Sequence, residues 1–166
     1  MCRMLILSCS SRKKPTKEHL PAIERYDGPA FRVLRKYLRE RRGPLPRILI
    51  LSGNYGLIDP NTPICDYDCR MTTPRAEELR PEVLERLGNV LRNSPIRSVG
   101  LCLSRDYRQA VDGLESRLPE GATVEAIGGG LGRRLTRLRE WLYRDLPGGD
   151  DTVAERGRKR RANDPA

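Results

Sequence analysis

The chain has 166 residues and a formal net charge of +10. This length predicts one α/β domain, which we place at residues 1–146, followed by a basic, disordered tail at 147–166. The charge favours an anionic partner, either a nucleotide or a nucleic acid. The apolar runs are too short for a secretion signal or a membrane span, so we expect a cytoplasmic protein without membrane attachment.

Four short apolar runs predict strands that are buried on both faces, because each run is continuous and rich in branched residues. In chain order they are MLILS (4–8), RILILS (47–52), SVGLCLS (98–104) and TVEAIG (123–128). Apolar residues at helical spacing predict helices at 31–38, 79–91, 107–118 and 131–146. This alternation predicts a Rossmann-like, three-layer α/β fold with a mainly parallel sheet of four or more strands.

Each predicted strand runs directly into small, polar or cationic residues. They are Cys9, Ser10, Arg12, Lys13 and Lys14 after the first strand, Asn54 and Tyr55 after the second, Ser104 after the third, and Gly129, Gly130 and Arg133 after the fourth. Ligands of open parallel sheets bind at the carboxyl ends of the strands, so we expect one shared cleft. Apart from Cys9 and Ser104, these residues are predicted to bind the substrate or its phosphate. For the glycine-rich segment the alternative is an ordinary flexible turn.

Cys9 is the candidate nucleophile, because the cations that follow it in sequence favour a thiolate. His19, the only histidine of the chain, is the candidate base for this thiol. Asp68 is a candidate acid or base within the sequence CDYDC. The alternatives are a small structural cysteine at the end of a strand and an aspartate that pairs with arginines.

The segment between the second strand and the next helix is about twenty residues long, which favours a functional loop. It contains Tyr55 and Tyr67, either of which we expect to stack on a nucleobase. Cys65 and Cys69, with Cys9 and His19, would supply four metal ligands. Structural zinc sites normally use two close pairs of ligands, however, and this sequence has one, so we predict no metal. The sequence leaves the cofactor open.

The segments ILSCSSRKKP, YDGPAFRVLRKY, ILILSGNYGLI and PICDYDCRM together resemble an uncharacterised bacterial and archaeal family. Its members share a C-S-x-[KR]-K start, a Y-x-G-P helix opening, a Y-G-L-I segment and a Y-D loop, and the match covers roughly residues 4–71. That family is similar to the YaaA-type peroxide-stress proteins and to the C-S-x-x-K-P domain of archaeosine synthase. In the latter motif a proline precedes the cysteine, where this chain has Ser8. The resemblance implies a Rossmann-like fold and a role near nucleotides, nucleobases or nucleic acid.

The sequence thus predicts an enzyme that acts on a nucleotide or nucleobase, free or within a nucleic acid that it modifies. The alternative is a non-catalytic DNA- or RNA-binding protein of the stress response. Loss of Cys9 or Asp68 distinguishes the two, because a protein that only binds would tolerate it.

Overall fold

The computed structural model describes residues 2–41 and 44–144, which form a five-stranded sheet with helices on both faces. The strands of this sheet are β1 (Cys2–Ser8), β3 (Arg47–Ser52), β4 (Gly56–Ile58), β6 (Ile96–Cys102) and β7 (Thr123–Ala126). A separate antiparallel pair consists of β2 (Leu20–Pro21) and β5 (Pro63–Ile64). The helices are α1 (Ala22–Arg25), α2 (Pro29–Glu40), α3 (Thr73–Arg92) and α4 (Leu131–Tyr143), with 3-10 helices at Arg105–Val111 and Glu115–Arg117.

The strand order is β4-β3-β1-β6-β7, with β1 at the centre of the sheet. β1 pairs in parallel with both β3 and β6, and β6 pairs in parallel with β7. β4 is the exception, since it runs antiparallel to β3 at one edge. These pairings confirm the predicted Rossmann-like α/β fold with a mainly parallel sheet.

Residues of β1 alternate between the two faces of the sheet, as the period of a strand requires. Met4 and Ile6 pack against α3 and the 3-10 helix that follows β6. Leu5 and Leu7 pack against α2 and α4. All four side chains are fully buried, which explains why the run is continuously apolar.

The third predicted helix, at 107–118, is not an α-helix. The segment forms two short 3-10 helices instead. Its apolar residues Ala110, Val111 and Leu114 are nevertheless buried on the α3 face. The break between them is at Gly113, whose φ of +91° is a backbone conformation that suits glycine and interrupts a continuous helix.

The long segment after β3 is partly regular, because it contains β4 and β5. Within residues 2–41 and 44–144, no helix is long and apolar enough to cross a membrane. The basic tail predicted at 147–166 lies outside the described residues, and the division into one domain and a tail stays a prediction.

The connections of the sheet change direction at β1 and β6. From β1 the chain passes through α2 on one face to β3, whereas from β6 it passes through 3-10 turns on the other face to β7. The carboxyl ends of β1 and β6 therefore flank the topological switch point, where open α/β sheets place their ligands.

Candidate functional site

The carboxyl ends of the parallel strands, which carry predicted site residues, lie along one side of the sheet that we call the carboxyl edge. The Cys9 backbone N–H donates to the Leu51 carbonyl at 2.9 Å, which joins the ends of β1 and β3. The hydroxyls of Ser8 and Ser104 are 3.2 Å apart, which joins the ends of β1 and β6. The parallel β6–β7 pairing brings the glycine-rich turn after β7 to the same edge. Cys9 lies at the centre of this edge.

The half-buried thiol of Cys9 contacts Tyr107, with 2.9 Å between Sγ and Oη. Tyr107 belongs to the 3-10 helix after β6, so this contact spans the switch point. Burial raises the pKa of Tyr107 above its ordinary value, and the charge of a Cys9 thiolate raises it further. Tyr107 therefore keeps its proton at neutral pH and is able to donate it to a thiolate.

A cluster of hydroxyls lies on the same face of the sheet as Cys9. Ser8 is opposite Leu51 in the β1–β3 register, so the next residues, Cys9 and Ser52, are neighbours on the α2 face. Ser52 Oγ lies 2.8 Å from Tyr67 Oη, and Tyr67 Oη is in turn hydrogen bonded to Tyr26 Oη. We call Ser52, Tyr67 and Tyr26 the hydroxyl chain.

Both phenols of the hydroxyl chain are neutral at physiological pH. Burial raises the pKa of Tyr26 and of Tyr67, and the nearby charge of a Cys9 thiolate raises both further. Tyr55 forms an additional wall, since its ring meets that of Tyr67 edge-on at a centroid distance of 5.2 Å. The surroundings of Cys9 are thus aromatic and rich in hydroxyl donors.

The three cations that follow Cys9 in sequence have different partners. Arg12 pairs with Asp27 at 3.6 Å, and Lys14 pairs with Glu24 at 3.1 Å. Lys13 instead lies over the Tyr67 ring, with its Nζ 4.4 Å from the ring centroid. Of these three cations, Lys13 is therefore the one that contacts a tyrosine ring near Cys9.

Replacing Lys13 with methionine is expected to slow alkylation of Cys9 by iodoacetamide by about 3-fold or more, because the positive charge over the tyrosines around the thiol is lost. Lys14→Met is the matched control and should leave the rate nearly unchanged, since Glu24 already neutralises that charge. The rate is followed at neutral pH by mass spectrometry of tryptic peptide 4–12, which contains Cys9 and no other cysteine. Equal slowing by both substitutions would contradict this assignment.

The structure places the two predicted acid–base residues on the surface. His19 and Asp68 are both exposed. In the part of the chain that is described, neither side chain has a hydrogen bond or an ion pair, and thus neither is bonded to Cys9. Their catalytic roles stay predictions.

Two predicted binding residues flank the edge. Ser10 lies against the N-terminus of α2, where its Oγ would be 2.3 Å from a Cβ at Gly28. The Asn54 side chain is exposed, while its main-chain N–H donates to Ser52 Oγ at 3.2 Å. Their binding roles stay predictions as well.

The glycine-rich turn after β7 is surrounded by arginines. Gly129 has a φ of +109°, and the stem of Arg133 packs against it. A Cβ at Gly130 would meet no atom within 4 Å, so the backbone at the N-terminus of α4 is accessible. Arg134 donates to the Gly129 carbonyl at 3.4 Å, and Arg108 approaches Gly128. Accessible backbone N–H groups at a helix N-terminus, together with arginines, favour the binding of an anion.

Other concave surfaces have a different chemistry. A groove of about 710 Å³ lies between α2 and α4, where it is lined by Pro29, Leu135 and Tyr143 among others, and Cys9 is not part of it. Within the described residues, no group of three or more His, Cys, Asp or Glu residues is placed to hold a metal ion. We locate the candidate site at the strand ends, because the thiol and the hydroxyls converge there.

Residues 4–140 match the family of unknown function DUF6884. The chain belongs to this family. No curated protein matches it. Among solved structures it is similar to the crystal structure of AF0587, a protein of unknown function, with a TM-score of 0.51 and 19% sequence identity. That similarity covers 90% of this chain but 46% of AF0587, so this chain spans about half the length of that protein.

At this identity the similarity to AF0587 shows a shared fold alone. Neither comparison names the YaaA-type proteins or archaeosine synthase, so that part of the resemblance stays a prediction.

Three site residues of this DUF6884 chain have roles that the sequence did not predict. Tyr107 follows the third predicted strand by three residues, so its place at a strand end was predictable, but its contact with Cys9 was not. Tyr26 is the tyrosine of the Y-x-G-P helix opening, but its contact with Tyr67 carries no local signal, because the two residues lie 41 positions apart. Ser52 is the last residue of β3, and its role becomes visible only with its three hydrogen-bond partners in place.

Proposed function

We propose that this DUF6884 protein is an enzyme that acts on a nucleotide or nucleobase, with Cys9 as its nucleophile. The observation that carries the proposal is the contact of the Cys9 thiol with Tyr107 across the switch point, at 2.9 Å. Because Tyr107 keeps its proton, its hydroxyl is able to hold a Cys9 thiolate and orient it toward a substrate.

The aromatic walls suit a flat heterocycle. Tyr55 and Tyr67 are both half-buried and stand edge to face, so one ring is available to stack on a base. Lys13 adds a positive charge beside them. The turn at Gly129 and Gly130 is the proposed phosphate site, to which Arg133 contributes a cation.

Direct identification of bound small molecules tests this proposal. The purified protein, freed of nucleic acid with nuclease and high salt, is denatured, and the extract is analysed by mass spectrometry. We expect a nucleoside- or nucleotide-like compound, present in reduced amount in an Arg133→Gln, Arg134→Gln double variant. Arg39→Gln, which changes an exposed arginine of α2, is the control. An extract without such a compound, or equal amounts in all three proteins, would contradict the proposal.

A second candidate function is DNA or RNA binding without catalysis, which the net charge of +10 favours. It predicts that affinity for nucleic acid falls steeply with salt and is independent of Cys9. The enzyme proposal predicts that Cys9 is indispensable for turnover.

A further inference from the structure

The three hydroxyls of the hydroxyl chain are joined by two hydrogen bonds, so one of their three protons has no acceptor within the hydroxyl chain. Ser52 Oγ accepts hydrogen bonds from the backbone N–H groups of Asn54 at 3.2 Å and Tyr55 at 3.1 Å. A serine oxygen accepts two hydrogen bonds and donates one. Because both acceptor positions are occupied, the Ser52 hydroxyl acts as a donor, and the phenol oxygen it contacts at 2.8 Å is that of Tyr67.

The remaining two protons belong to Tyr26 and Tyr67, which share a single hydrogen bond. Tyr26 is fully buried, and a buried O–H without an acceptor costs about 1–3 kcal/mol. Tyr26 therefore donates to Tyr67, which receives hydrogen bonds from both of its neighbours. Within the described residues, the proton of Tyr67 itself has no acceptor.

This free donor is placed beside the nucleophile. Cys9 and Ser52 are neighbours in the β1–β3 register, and adjacent strands are about 4.8 Å apart. Tyr67 Oη is hydrogen bonded to Ser52 on that same face, and Tyr67 is only half-buried. The hydrogen bond that Tyr67 Oη receives from Ser52 stabilises negative charge on this oxygen and makes its O–H a stronger donor. Lys13 over the ring acts in the same direction.

We propose that Tyr67 Oη–H is an oxyanion donor, and that the site accordingly takes substrates in which the carbon attacked by Cys9 is double-bonded to oxygen. The lactam carbonyl of an oxo-nucleobase is one such group. This inference rests on the proposed role of Cys9 as nucleophile. In the attack, the Cys9 thiol gives up its proton to solvent, and the resulting thiolate forms the S–C bond. The π pair of the carbonyl moves to the oxygen, which accepts the hydrogen bond of Tyr67.

Two small electrophiles separate this role from the general reactivity of the thiol. With 4-nitrophenyl acetate, attack at the carbonyl carbon creates an oxyanion, after which the C–O bond breaks, 4-nitrophenolate leaves and Cys9 carries a thioester. With iodoacetamide, the thiolate displaces iodide from a CH₂ group and no oxyanion forms. Modification of peptide 4–12 of the full chain reports both rates.

We expect Tyr67→Phe to slow acetylation of Cys9 by about 100-fold, the typical effect of losing one oxyanion donor. Alkylation by iodoacetamide should change by less than about 3-fold, since that transition state places no charge on an oxygen. Tyr26→Phe should slow acetylation less than Tyr67→Phe does, because it leaves the Tyr67 hydroxyl in place beside Ser52. Tyr143→Phe is the matched control, since its hydroxyl donates to Glu40 at 2.6 Å in the groove between α2 and α4, away from Cys9.

The ratio of the two rates within each variant decides the outcome, so a variant that is partly misfolded and slow with both reagents does not imitate the expected result. If Tyr67→Phe lowers both rates equally, or neither, Tyr67 is not the donor and the inference is overturned, while the nucleophile proposal stands. If Cys9 of the unaltered protein reacts with neither reagent faster than Cys2 does, the proposed function is overturned and this inference with it.

Discussion

Replacing Arg25 with methionine is expected to lower the free energy of unfolding by about 3 kcal/mol. Arg25 is fully buried, and its guanidinium donates to the carbonyls of Lys14 at 2.5 Å, Thr16 at 3.1 Å, Ile64 at 3.4 Å and also Glu18. Methionine retains much of the apolar stem but none of these donors. The segment at 14–18, which follows Lys13 directly, would then lose its carbonyl hydrogen bonds to the Arg25 side chain. It would keep the Lys14 N–H bond to the Arg25 carbonyl and the Lys14–Glu24 ion pair.

Urea unfolding followed by circular dichroism measures this effect, and hydrogen exchange at the backbone amides of Lys14 and Thr16 should become faster. Arg39→Met, on the exposed face of α2, is the control and should change the free energy of unfolding by no more than about 0.5 kcal/mol. Arg25→Lys should not restore stability, because an ammonium lacks the planar fork that reaches several carbonyls at once. Similar stabilities of Arg25→Met and Arg39→Met would show that the four hydrogen bonds contribute little.

The largest functional effect is expected from Cys9→Ser, which should reduce turnover of the co-purifying compound by about 10³-fold or more. A serine hydroxyl at neutral pH is a far weaker nucleophile than a thiolate. Its similar size and the half-buried position of Cys9 should keep the free energy of unfolding within about 1 kcal/mol of the unaltered protein.

Cys2→Ser, at the opposite end of the same strand, is the control and should retain full turnover. Turnover by Cys9→Ser at the rate of the control would show that the nucleophile lies elsewhere. A protein that only binds nucleic acid would have no turnover to lose, and its affinity for DNA or RNA would be the same in both variants.

The architecture was predictable because its signals are local in sequence. The run RILILS predicts β3 at its observed bounds of 47–52, since a strand buried on both faces has few polar positions. The third predicted helix failed for a physical reason, because buried apolar residues recur at three- to four-residue steps in successive 3-10 turns as well. Gly113 was the local sign of the break.

The candidate site was predictable only in part. Cys9 and Lys13 follow from the rule that ligands bind at strand ends. The contact between Tyr26 and Tyr67 does not, because it depends on how two distant segments pack. The buried position of Arg25 is likewise invisible in the sequence, where an arginine at a helix end is normally a solvated residue.

The central claim is that Cys9 is the nucleophile of the site, and the rate of its alkylation tests this most directly. Cys102 is the internal reference, because burial raises its pKa to about 11 and keeps it a thiol at neutral pH. With limiting iodoacetamide at neutral pH, peptide 4–12 should be modified before the peptides that contain Cys2, Cys65 with Cys69, or Cys102. Modification of Cys9 as slow as that of Cys102 would contradict the claim.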